Sequence, residues 1–94
     1  MRHKYRLSHE AVLDVEEGYL WYERKQKGLG ERFLDSLDKA EQLITENPLL
    51  YRVRYLNRVR GFVVKDFPYL VLYVLNDEYI DVISVFKTYQ DPAI

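Results

Sequence analysis

The spacing of apolar residues changes at Asn47-Pro48, and that change limits the folds open to this chain more than any other feature. Before it, apolar side chains return every three or four residues. Ala11, Val15, Tyr19 and Tyr22 form one stripe, supported by Val12 and Leu20. Phe33, Leu37, Ala40 and Ile44 form a second, widened by Leu34 and Leu43, while Glu31, Asp35, Asp38, Lys39 and Glu46 fall on the wet side. That period lines one side of a helix. After Pro48 the chain reads as strands, with Val, Ile, Leu and Tyr crowded into "PYLVLYVLN" (68–76) and "YIDVISVFK" (79–87). Two neighbouring helices followed by consecutive antiparallel strands imply an α+β fold, with the helix hairpin packed on one face of a single sheet.

Local signals mark where each element begins and ends. "KYRL" (4–7) alternates and predicts a short first strand. Ser8 then suits the N-cap of a helix, Glu10 its first turn, and Arg24, Lys25 and Lys27 its C-terminal end. Gly28 is expected to terminate that helix, and the turn around Gly28 and Gly30 makes the two helices antiparallel. Because "GLG" follows a helix rather than a strand, it is no phosphate loop. Asn76-Asp77-Glu78 predicts a tight hairpin, and Phe67-Pro68 a turn before it. Residues 51–66 hold one strand, or two if the chain breaks near Asn57.

Composition removes several classes of function. The chain has 94 residues, enough for one domain spanning 1–94, and 48% of them are apolar, enough for a core without staples. It has no cysteine, so disulfide frameworks and thiol chemistry are excluded, which fits a reducing cytoplasm. No apolar run approaches the roughly 18 residues of a membrane span, and "MRHKYRLSHEA" lacks the apolar segment of an export signal. His3 and His9 have no further ligands at metal-binding spacing, and Asp14, Glu16 and Glu17 read as a solvated helix face. No metal or cofactor is expected.

The formal net charge is −1, yet residues 51–65 carry Arg52, Arg54, Arg58, Arg60 and Lys65 without a single acid. A nearly neutral chain with one basic strip points to a local contact rather than to general phosphate affinity. In one unbroken strand the four arginines share a face; a break near Asn57 destroys that register. Lys87 and Tyr89 emerge at the end of the last strand. Metal-free RNA cleavage needs a base, an acid and cations for the phosphorane. Arg58, Arg60, Lys87 and Tyr89 offer cations and an acid, but residues 51–94 contain no histidine to serve as base.

The segments "YRLSHEAVLDV", "YERKQKGLGERFLDSL", "FPYLVLYVL" and "VISVFKTYQDP", in this order, resemble the RelE/ParE superfamily of type II toxin–antitoxin toxins, often called plasmid stabilization proteins. The resemblance covers nearly the whole chain. It implies a cytoplasmic, growth-inhibiting toxin neutralised by a cognate antitoxin; the residues expected to bind partner or target are Arg52, Arg54, Arg58, Arg60, Lys65, Lys87 and Tyr89, with acidic residues of the antitoxin meeting the arginines. RelE-like members cut mRNA on the ribosome, whereas ParE-like members inhibit DNA gyrase. Where the nuclease branch carries arginines, this chain has Leu70 and, near the end, Thr88. Many relatives end in "VFH" followed by Arg-Asp-Pro; here Lys87 and Gln90 replace the histidine and arginine, and Asp91-Pro92 is kept. The resemblance therefore implies a ParE-like gyrase inhibitor. Its alternatives are a RelE-type ribonuclease acting through Arg58, Arg60, Lys87 and Tyr89, or an antitoxin-binding relative without toxicity.

Overall fold

In a computed structural model that describes residues 3–88, the chain runs β1 (Lys4–Leu7), α1 (His9–Lys25), α2 (Leu29–Glu46), β2 (Val53–Tyr55), β3 (Val59–Val63), β4 (Tyr69–Asn76) and β5 (Tyr79–Lys87). The strands form one sheet in the order β1-β5-β4-β3-β2. Strands β2 to β5 pair antiparallel with their neighbours, and β1 joins β5 in parallel, Lys4 opposite Tyr79 and Leu7 opposite Val82. The sheet is therefore mixed, and the helix hairpin covers one of its faces.

Helix α1 starts where the sequence places it. The Ser8 hydroxyl accepts the Ala11 N–H at 3.0 Å and donates to the Ile83 carbonyl at 3.2 Å, so the cap also fixes the helix against β5. The expected role of Gly28 is corrected. Gln26 closes α1, its N–H reaching the Tyr22 carbonyl, and Gly28 is the N-cap of α2. Its φ of 89° is left-handed, a conformation glycine takes without steric cost. Glycine has no side chain to cap with, and Glu23 supplies the group instead: its carboxylate accepts the Gly28 and Gly30 N–H groups, each at 2.9 Å.

Between sheet and helices lies the main core. Ala11, Phe33, Ala40 and Ile44 from the helices meet Val71, Tyr73, Ile80 and Val82 from the strands, all almost fully buried. Rings from three parts of the chain stack at one end, with Phe33 4.9 Å from Tyr69 and Phe67 4.9 Å from Tyr22. Two expected members of the α1 stripe lie outside it. Val12 and Leu20 are 40% and 54% exposed, because α1 meets α2 and the sheet along only one side.

Strand β5 carries one extra residue, since Leu72 pairs with Ser84 but Tyr73 pairs with Val82. Asp14 secures this bulge by accepting the Val85 N–H at 2.9 Å and the Ser84 hydroxyl at 3.2 Å. Its reading as a purely solvated residue is thus corrected. The pattern of α1 placed it on a polar side, and only the tertiary fold brings a bulged strand there.

Candidate functional site

The segment with four arginines is two strands, not one. Leu56 and Asn57 take positive φ values of 51° and 59°, and the chain reverses so that β2 and β3 pair, Val53 opposite Arg60 and Tyr55 opposite Val59. The break near Asn57 that the sequence allowed is therefore present, and the four arginines do not share one face. Along β3, alternate residues point to opposite sides: Phe62 enters the main core, while Val59 joins Leu70, Leu72 and Val74 in a separate apolar cluster on the face away from the helices. This outer face is the candidate partner-binding surface.

Two arginines belong to it. Arg54 lies across Gly61, where an added Cβ would fall 2.6 Å from Arg54 Cδ and 2.7 Å from Nε, so the missing side chain makes room for the arginine stem. Arg58 donates to Asn76 Oδ1 at 3.0 Å, and Asn76 Nδ2 donates to Asp81 Oδ2 at 2.7 Å. Asp81 is in turn ion-paired with Arg6, whose guanidinium stacks 3.6 Å from the Tyr79 ring centre. The hydrogen bonds from Arg6 and then Asn76 hold the Asp81 carboxyl below the usual carboxylate range. Arg58 thus stands at the end of a chain of polar contacts crossing β4 and β5 to β1.

Arg60 faces the other way. It donates to the Tyr51 carbonyl at 2.7 Å and the Leu49 carbonyl at 3.3 Å, while the neighbouring Tyr73 hydroxyl donates to the Pro48 carbonyl at 2.7 Å. Together they fasten the α2–β2 connection to the sheet, and burial pushes the Tyr73 hydroxyl up to about 12. Arg52 and Lys65 lie exposed beside the strands, in the approach to β2 and in the β3–β4 turn.

Lys87 lies at the far end of the sheet. It pairs with Tyr69 at the start of β4, whereas Arg58 holds Asn76 at its end. Seven residues of strand at about 3.3 Å each separate the two positions by about 23 Å. The Lys87 ammonium sits 4.4 Å from the Trp21 ring centre, with Lys25 at 4.7 Å, beside a cavity of about 340 Å³ lined by Glu10, Asp14, Glu17 and Tyr69. Tyr89 lies outside the described residues, as do Gln90, Asp91 and Pro92. The structure therefore does not assemble Arg58, Arg60 and Lys87 into one reaction centre. Among the described residues no cluster of three or more His, Asp or Glu side chains is arranged to hold a metal, and no helix is long and apolar enough to cross a membrane.

The fold also sorts charge by layer. The five strands contain Lys4, Arg6, Arg54, Arg60 and Lys87 but a single carboxylate, Asp81. The two helices contain ten carboxylates against Arg24, Lys25, Arg32 and Lys39. A net charge of −1 thus conceals a basic sheet and an acidic helix layer.

A two-layer domain with this element order and sheet topology has the form of a RelE/ParE-type toxin, and comparison with known proteins bears this out. The family model for the ParE toxin of the type II toxin–antitoxin system, parDE, matches residues 5–92, and the chain belongs to that family. Among solved structures, the chain is similar to one described as the chromosomal ParDE TA system from P. aeruginosa, with a TM-score of 0.82 over 93% of this chain and 97% of that one. Identity is 11%, so this likeness speaks for the fold alone. Comparison with curated protein sequences gives no match.

Proposed function

We propose that this ParE-family toxin acts in the cytoplasm by binding DNA gyrase, without catalysis of its own, and that a cognate antitoxin neutralises it by covering the same surface. One observation carries the proposal: on the outer sheet face, Arg54 across Gly61 and Arg58 hydrogen-bonded to Asn76 stand beside exposed Val63 and Phe86, over a buried apolar cluster of Val59, Leu70 and Leu72. Val63 and Phe86, 65% and 49% exposed, extend the apolar area. Apolar contact flanked by guanidinium groups is the chemistry of a protein interface, in which arginine and aromatic residues carry most of the affinity. The distance between Arg58 and Lys87 favours this reading over a nuclease centre.

Purified protein incubated with gyrase and supercoiled or relaxed DNA is expected to block supercoiling or to trap cleaved DNA. Arg54→Glu is expected to weaken the effect at least tenfold. Unimpaired gyrase with no trapped cleavage complex overturns the proposed target.

A further inference from the structure

The polar contacts that run from β1 across β5 and β4 to Arg58 leave one guanidinium closed and the other open. Arg58 Nη2 donates to Asn76 Oδ1 at 3.0 Å, and Asn76 Nδ2 donates to Asp81 Oδ2 at 2.7 Å. A guanidinium only donates and an ionised carboxylate only accepts. Asn76 can therefore join them in one orientation, with its amide nitrogen toward Asp81 and its oxygen toward Arg58. Asp81 is held in turn by Arg6, whose Nε donates to Oδ1 and whose Nη2 donates to Oδ2 at 3.3 Å. Arg6 thus spends two nitrogens on one carboxylate. Arg58 spends one on an amide, and its head makes no other hydrogen bond or ion pair among the described residues. Around it the surface is apolar. Its backbone N–H closes the β2–β3 turn on the Tyr55 carbonyl at 3.0 Å, and Tyr55 and Leu56 in that turn are 50% and 84% exposed.

We infer that Asn76 and Asp81 are positioning residues for the binding surface: together they hold the Arg58 head on the open face, with its remaining N–H groups directed to a carboxylate of the gyrase segment it meets. The inference rests on the gyrase reading and deepens it. An unheld arginine samples many rotamers, and ordering it on binding lowers affinity by up to about tenfold. The bond to Asn76 removes part of that loss before the partner arrives. Asp81 decides which way the Asn76 amide faces. In an Asp81→Asn variant the new amide can donate to Asn76 Oδ1, which turns the Asn76 nitrogen toward Arg58 and sets donor against donor. A protein carboxylate suits the site better than a DNA phosphate, because Tyr55 and Leu56 gain from burial against a protein surface and little from a sugar-phosphate backbone.

The test uses the full chain with gyrase and compares Asn76→Ala, Asp81→Asn and Arg58→Ala, singly and combined. None of the three side chains belongs to the core, and melting temperatures are expected to stay within about 5 °C of wild type. Asn76→Ala and Asp81→Asn are each expected to weaken gyrase inhibition about three- to tenfold. Both should also loosen the Arg58 head, measured by NMR relaxation of its guanidinium nitrogens in the free chain. In an Arg58→Ala background neither is expected to weaken inhibition further, a non-additivity that a general loss of structure does not produce. Inhibition within twofold of wild type for both variants, or losses that add to that of Arg58→Ala, overturns the positioning role and leaves the target standing. Binding to DNA without gyrase that is lost with Arg58→Ala assigns the contact to phosphate and overturns the carboxylate. If the wild-type chain leaves gyrase unaffected, the proposed target falls and guanidinium relaxation decides the positioning role: a head as mobile in wild type as in the variants overturns it.

Discussion

Glu23 is the residue whose loss most directly tests how the helix hairpin is held together. Its carboxylate accepts two backbone N–H groups, from Gly28 and Gly30, at 2.9 Å each. Both belong to the first turn of α2, where N–H groups have no partner within the helix and the dipole favours negative charge. No side chain of the N-cap itself competes, because that residue is Gly28. Losing an N-cap costs about 0.5–2 kcal/mol, and removing a charge from the positive end of a helix about 0.3–1 kcal/mol. The site is half-buried, so water takes over part of the lost bonding and the full desolvation penalty does not apply. Glu23→Ala is therefore expected to destabilise the protein by about 1.5 kcal/mol, which for a domain of this size lowers the melting temperature by about 7 °C. Glu23→Gln keeps one acceptor and should lose about half as much. Thermal unfolding followed by circular dichroism gives both values, and amide exchange at Gly28 and Gly30 locates the effect. A Glu23→Ala melting temperature within about 2 °C of wild type would refute the capping argument.

Two further outcomes follow from the same geometry. Gly61→Ala places a methyl group where the Arg54 stem lies, so the arginine must swing away; stability should stay within about 1 kcal/mol of wild type, since reduced unfolded-state entropy offsets the displacement, while gyrase inhibition weakens. Inhibition unchanged by Gly61→Ala would show that the seating of Arg54 is irrelevant. The Tyr69 and Tyr73 hydroxyls, both pushed up to about 12 by burial, contribute stability that is complete below pH 10 and declines as the pH rises through about 12. Burial raises Tyr5 in the same direction. Spectrophotometric titration should show part of the nine tyrosines ionising only with alkaline unfolding, and ionisation of every ring near pH 10 would contradict the packing described.

Features governed by neighbours in sequence were legible in advance. Ser8 caps α1 because a hydroxyl three residues before an N–H reaches it whatever the rest of the fold does. The stripe through Phe33, Ala40 and Ile44, the stop at Asn47-Pro48 and the two-residue connection between β4 and β5 are local in the same sense. Their order was enough to establish the α+β class, and the joined motifs were enough for the superfamily resemblance. Glu23 was missed although it lies only five and seven residues from the groups it caps, because a helix-interior glutamate carries no mark showing that the chain will fold back over it.

What the tertiary structure alone decided concerns groups distant in sequence, and here the four arginines are the clearest case. Their side-chain directions depend on the reversal at Leu56 and Asn57, which turns Arg60 toward the carbonyls of Leu49 and Tyr51 and leaves Arg54 and Arg58 on the open face. The parallel pairing of β1 with β5, the clamp of Asp14 on the β5 bulge and the division of charge between layers likewise bring together residues up to about 75 positions apart. Period and capping report only what a residue meets within a turn or along its own strand. Which face of the molecule a partner sees is set by how the elements pack.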